Sequence, residues 1–158
     1  MSSVVISGDT SGAITLSAPA VAGTNTITLP ALTGTVALTS TNSAWTSYTP
    51  TVSAATGTIT TASATGQYQT IGKTCIVSMT ITITTAGTGA NQLFATLPFT
   101  SAARTQSGTC GGEFNNTGYS VKGYIPPSTT QLQITYYNNS TVIASGNNII
   151  VTTTYEIA

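Results

Sequence analysis

Histidine is missing from this 158-residue chain, and charge of either sign is nearly missing, with three Lys or Arg against three Asp or Glu. Without imidazole, histidine-based triads, histidine metal sites and the usual proton shuttle near neutral pH are excluded. The two cysteines, Cys75 and Cys110, cannot form a zinc site unaided. The carboxylates are Asp9, Glu113 and Glu156, the first and last near the chain ends, whereas glycoside hydrolysis usually needs two acids held about 5–10 Å apart. Three cations leave no electrostatic footprint for nucleic acid or for polybasic membrane docking. No apolar run approaches the roughly 20 residues of a membrane helix, and Met1-Ser2-Ser3 lacks the basic stretch that opens a signal peptide. The expectations are no cofactor, no metal, no nucleic acid, no membrane, and synthesis in a cytoplasm.

What is present is hydroxyl and apolar carbon. Ser and Thr make up about a third of the chain, Thr about twice as often as Ser, and 40% of residues are hydrophobic. Thr is β-branched, loses rotamer freedom in helices and fits a half-buried pleated surface. Disordered chains combine low hydrophobicity with high net charge, and here net charge is zero. The chain therefore reads as folded and all-β, one domain plus an arm. At 4% charged residues against roughly 25% in average proteins, strand edges lack the usual guard against pairing with other chains. An oligomer would cover them.

Residues 1–45 read as an extended arm. Three similar phrases, Ala13-Ile14-Thr15-Leu16, Thr26-Ile27-Thr28-Leu29 and Thr35-Val36-Ala37-Leu38, are separated by Pro, Gly and Asn. Strands of four residues bury too little to stand alone, so this segment is either a flexible arm or one that pairs with sister chains. The second reading assigns Ile14, Leu16, Ile27, Leu29, Val36 and Leu38 to a subunit interface. The lone Trp, Trp45, stands at the boundary as a packing anchor joining arm to domain, with ligand stacking as its alternative.

Residues 46–158 read as an antiparallel β-sandwich of jelly-roll type, with about eight candidate strands from Tyr48 onward. Over 74–85, Cys75, Val77, Met79, Ile81 and Ile83 alternate with Ser78, Thr80, Thr82 and Thr84, a period of two that predicts a core strand. Similar reasoning predicts strands over 91–97, 119–125, 131–137 and 147–157, with turns at 86–89, Pro126-Pro127 and Asn138-Asn139-Ser140.

Few residues offer chemistry. Gly66 to Thr74 ends like a phosphate-binding loop, but the spacing is off by one and a period-two strand follows where a helix would be required. A turn is expected there. Glu113 is expected to face solvent or to pair with Lys122 or Arg104, and a catalytic site shared with an acid of another subunit is the enzymatic rival. Both cysteines are expected to be reduced and buried, with a disulfide as the alternative. Tyr119, Tyr124, Tyr136 and Tyr137 cluster late in the chain among Asn, Ser and Thr, a composition that suits sugar contact as well as packing.

The run from Gly12 to Pro30, closing with Gly34-Thr35-Val36-Ala37-Leu38-Thr39, resembles a segment common in tail-fibre and other virion proteins of tailed bacteriophages. The phrases Trp45-Thr46-Ser47-Tyr48-Thr49-Pro50-Thr51-Val52, Gly66-Gln67-Tyr68, Ile71-Gly72-Lys73 and Leu97-Pro98-Phe99 are similar to the distal β-domain of such fibres, so the likeness covers about residues 12–99. The resemblance implies a homotrimer with intertwined N-terminal strands, held to a larger capsid or tail protein and exposed to the host surface. It transfers no catalytic residue. Long fibres carry a separate attachment domain and shaft, whereas Met1 here begins almost directly on the repeat, which favours a short fibre or a capsid decoration protein. The expected function is a non-enzymatic structural part of a phage virion. Recognition of a host cell-surface polysaccharide is the alternative.

Overall fold

The alternation read over residues 74–85 is the spine of the fold. In the computed structural model, which describes residues 3–7, 12–17 and 44–158, Thr74–Thr85 is the longest strand, and its inward side chains Cys75, Val77, Met79, Ile81 and Ile83 are all buried. The described residues contain strands and no helix. By internal contacts the chain falls into two units, residues 1–36 and 37–158.

The first unit contains an antiparallel hairpin of β1 (Ser3–Ser7) and β2 (Ala13–Ser17), in register from Ser3 opposite Ser17 to Ser7 opposite Ala13. Val5 and Ile6 are exposed on it. Of the expected arm phrases, the one carrying Ile14 and Leu16 lies in β2. Those carrying Ile27, Leu29, Val36 and Leu38 lie outside the described residues.

The second unit is a sandwich of two antiparallel sheets. Its strands are β3 (Thr46–Tyr48), β4 (Val52–Thr56), β5 (Thr61–Ile71), β6 (Thr74–Thr85), β7 (Ala90–Thr96), β8 (Thr109–Glu113), β9 (Val121–Tyr124), β10 (Gln131–Tyr136) and β11 (Asn148–Glu156). One sheet runs β3-β5-β6-β11-β8 and the other β4-β7-β10-β9. Every pairing is antiparallel. The core is formed by the inward rows of β6 and β11 (Ile149, Val151, Tyr155) meeting Leu93 and Ala95 of β7 and Leu132 and Ile134 of β10. The strands expected over 91–97, 119–125, 131–137 and 147–157 are present with ends moved by one or two residues.

Local sequence explains the connections. Between β5 and β6 the chain turns in two residues, Gly72-Lys73, with Gly72 at φ +57° and Ile71 opposite Thr74. The apparent phosphate loop is thus a tight hairpin, whose first residue needs a left-handed backbone that glycine supplies cheaply. Isolated antiparallel bridges between Gly112 and Ser120 and between Gln106 and Ile125 add links outside the strands.

Edge strand β8 is held close because Gly111 has no side chain. A Cβ there would stand 2.1 Å from the Ile150 carbonyl oxygen and 2.9 Å from Val151 Cα, both backbone atoms of the neighbouring strand. Replacing Gly111 with Ala should therefore push β8 off β11 and lower unfolding stability by roughly 1–3 kcal/mol, as overpacking does. Urea denaturation followed by far-UV circular dichroism measures it. The same change at open Gly118, where no atom lies within 4 Å but φ is +66°, adds backbone strain alone and should cost less.

Candidate functional site

Three features of the sandwich carry chemistry: a buried carboxylate, a group of tyrosines and an open trough on the four-stranded sheet.

Glu113 ends β8 and is fully buried, which corrects the expectation of a solvent-facing or salt-bridged acid. Its partners are neither Lys122 nor Arg104. The loop that follows folds back so that three consecutive backbone N–H groups donate to it: Asn115 to Oε1 at 2.7 Å, Asn116 to both oxygens at 3.0 Å, and Thr117 to Oε2 at 2.6 Å. Thr117 Oγ1 adds a bond at 2.9 Å and the Asn148 N–H one at 3.3 Å. Burial pushes the carboxyl pKa up, but these donors outweigh it and hold the pKa down at about 2, against an ordinary 4.5. A carboxylate so saturated is a poor proton donor at neutral pH. Arg104 instead binds Glu156, 2.7 Å away on the surface.

The same network takes in one of the candidate tyrosines. The Tyr136 hydroxyl lies 3.1 Å from Thr117 Oγ1 and accepts from Asn147 Nδ2 at 3.0 Å, and its ring is buried. Asn147, itself fully buried, also donates to the Val142 carbonyl at 2.8 Å and accepts from Asn116 Nδ2 at 2.6 Å. Tyr136 therefore presents no open face. Tyr119 and Tyr137 are exposed and stack edge-on in a chain, Tyr119 lying 5.6 Å from Tyr136 and 5.7 Å from Tyr137 between ring centres. Trp45, just before β3, is half-exposed at 48%.

Tyr124 stands apart, on the outer face of the four-stranded sheet. There it lines a trough of about 570 Å³ together with Lys122, Gln133, Gln92, Asn91 and Asn139. The register sets this arrangement, since Gln133 lies opposite Tyr124 and Thr135 opposite Lys122, and directly paired residues point to the same face. The volume is within the range of small-molecule sites, and the walls present amides, hydroxyls, one ammonium group and one aromatic ring.

The cysteines occupy opposite faces of the five-stranded sheet. Cys75 is buried, and burial pushes its thiol pKa up by more than the hydrogen bond with Tyr155 lowers it. Cys110 is free and exposed, correcting the expectation that both are buried, because its position on β8 points outward. Side chains on opposite faces cannot meet the Cβ separation a disulfide needs.

Neither the Glu113 knot nor the asparagines of the trough is marked by a motif in the sequence. The available signal was Glu113-Phe114-Asn115-Asn116-Thr117-Gly118, an acid two residues ahead of a polar turn closed by a left-handed glycine.

The knot makes stability depend on pH. Because the folded pKa of Glu113 is depressed, its contribution is fully present above the ordinary value of 4.5 and is lost as pH falls towards about 2. Thermal melts of the native chain should drop across that window. Glu113→Gln should be less stable at pH 7 by roughly 1–3 kcal/mol, since an amide N–H₂ then faces backbone donors, and its own melts should be nearly flat between pH 4.5 and 2.

No protein-family model, no curated protein and no solved structure matches this chain.

Proposed function

We propose that this protein is a non-enzymatic structural component of a phage virion, a homotrimeric short fibre or capsid decoration (cement) protein held by its N-terminal arm to a larger capsid or tail protein, with a jelly-roll-like sandwich directed outward. The observation that carries the reading is the outer face of the five-stranded sheet. Along it run Ser47, Gln67, Ser78, Thr80 and Thr152, and the strands of this sheet carry no charge except buried Glu113 and end-lying Glu156, which Arg104 neutralises. Near its β8 edge the exposed ring of Phe114 covers Gly112, and the cross-strand partner of Gly112 is exposed Ile150.

A face of this kind associates at little electrostatic cost, because no charge has to be desolvated when a second copy covers it. The hairpin of β1 and β2 points the same way. A two-stranded hairpin by itself is marginal in water, and among the described residues Val5 and Ile6 are exposed on it, so packing against a sister chain would stabilise it. The virion setting and the number three come from the resemblance of residues 12–99 to tail-fibre proteins. A second reading, contact with a host cell-surface polysaccharide, is favoured by the trough around Tyr124.

Sedimentation velocity at micromolar concentration tests the assembly. Three chains of 15.9 kDa should sediment together as a particle of about 48 kDa, and Phe114→Glu with Ile150→Glu should shift the material to monomer without loss of the far-UV strand signal. A native chain that sediments as a stable monomer overturns the reading.

A further inference from the structure

We propose that the trough on the outer face of the four-stranded sheet is a saccharide site that prefers sugars bearing a carboxylate, of the uronic-acid class. This rests on the polysaccharide reading above and names both the place and the chemical class.

Tyr124 is 39% exposed and lines the trough, so aromatic surface is open to the apolar C–H side of a pyranose. Lys122, two residues earlier on the same strand, is on the same side of the sheet about 7 Å away. A pyranose resting on the ring can reach it with a carboxylate. Four of the other lining side chains, Asn91, Gln92, Gln133 and Asn139, are amides, which supply a donor and an acceptor from one group and so match neighbouring sugar hydroxyls.

Two of these amides are held in place before any ligand arrives. Gln133 Nε2 donates to Gln131 Oε1 at 2.9 Å, and Asn91 Nδ2 donates to Thr56 Oγ1 at 2.8 Å. Asn91 and Asn139 have φ of +66° and +68°, and with Ser128 they are the non-glycine residues of positive φ among those described. Asparagine tolerates that conformation better than most residues, yet it is still uncommon. Two of the three such residues therefore border this trough, Asn91 in β7 beside a register shift with β4 and Asn139 in the turn that follows β10.

Charge selects the sugar. The acids of the sandwich are committed elsewhere, Glu113 to backbone donors and Glu156 to Arg104, so no carboxylate lines the trough, and Lys122 forms no ion pair among the described residues. One uncompensated cation suits one carboxylate. A phosphate, with its greater charge, is usually held by several cations or by a helix N-terminus, and the trough offers neither.

The test is calorimetric titration of the intact chain with an oligogalacturonate and with a neutral oligogalactoside of equal length. The acidic oligomer should bind more tightly, with a preference that shrinks as salt is raised. Tyr124→Ala should weaken both by about tenfold, and Lys122→Gln should bring the acidic oligomer to the level of the neutral one. Both residues are surface-exposed, and amide chemical-shift changes on titration should centre on Asn91, Tyr124 and Asn139, which reports the site without any variant. Equal binding of the two oligomers, with Tyr124 still required, overturns the acidic class and keeps the polysaccharide reading. Binding of neither, or binding indifferent to Tyr124→Ala, overturns both.

Discussion

The pairing of β6 with β11 is the constraint on which the rest of the sandwich depends. Nine residue pairs, from Asn148 opposite Thr82 to Glu156 opposite Thr74, fix which side chains face inward on two adjacent strands. A slip of one residue would turn Val77, Met79 and Ile81 out to water and bring Ser78 and Thr80 into the core. β5 and β8 are added on the flanks of this pair, and the core rows of β7 and β10 close over it. Tyr155 seals one end, with its hydroxyl donating to the Phe99 carbonyl at 3.1 Å and the Phe99 N–H donating to it at 3.2 Å. Burial pushes its phenol pKa far up, so it remains a neutral donor.

A chain with so few charges has little use for ion pairs, and the structure uses amides and hydroxyls in their place. The Gln106 side chain behaves as an extra piece of strand, with Nε2 donating to the Glu156 carbonyl at 3.0 Å and Oε1 accepting from the Glu156 N–H at 2.6 Å. Asn147 links the 142–147 turn, the loop after β8 and β10 through three bonds. Glu113 extends this logic to a charge. A buried ion pair requires both partners to give up water, whereas backbone N–H groups already pointing at the carboxylate were ordered by the chain's own turn. The knot therefore fixes the loop that carries Phe114 and Tyr119 without drawing on any of the three cations.

The sheet strands were legible in the sequence because alternation is a repeated signal. Residues 74–85 and 147–157 state the buried face four or five times over, and a local exception cannot overturn it. Glu113 was misread for the opposite reason. Burial of a single carboxylate depends on the next four residues turning back, and acids are otherwise almost always exposed unless paired. The trough lay between these cases. Tyr124 is visible in the sequence as one of a late group of tyrosines, but its neighbours come from β7, β9, β10 and the turn after β10, and only the pairing of those strands brings Asn91 and Asn139 to it. β8 was not foreseen because Thr109-Cys110-Gly111-Gly112 has no alternation and two glycines, which in sequence look like a turn. In the structure Gly111 permits the close approach to β11, and Gly112 lies under the ring of Phe114.

The two outer faces of the sandwich differ in kind, and the difference follows from side-chain choice on alternate residues. On the five-stranded sheet the outward row of β11 is Ile150, Thr152 and Thr154, β-branched residues that make a stiff, nearly uncharged surface with little rotamer entropy to lose when covered. On the four-stranded sheet the outward residues include Gln131, Gln133, Tyr124 and Lys122, longer groups with donors and acceptors at their tips. Covering that second face with another protein would require satisfying each amide and desolvating Lys122, while leaving it open to water costs nothing. In the proposed assembly the first face is therefore the one that covers at lower cost, and burying it would leave the trough accessible.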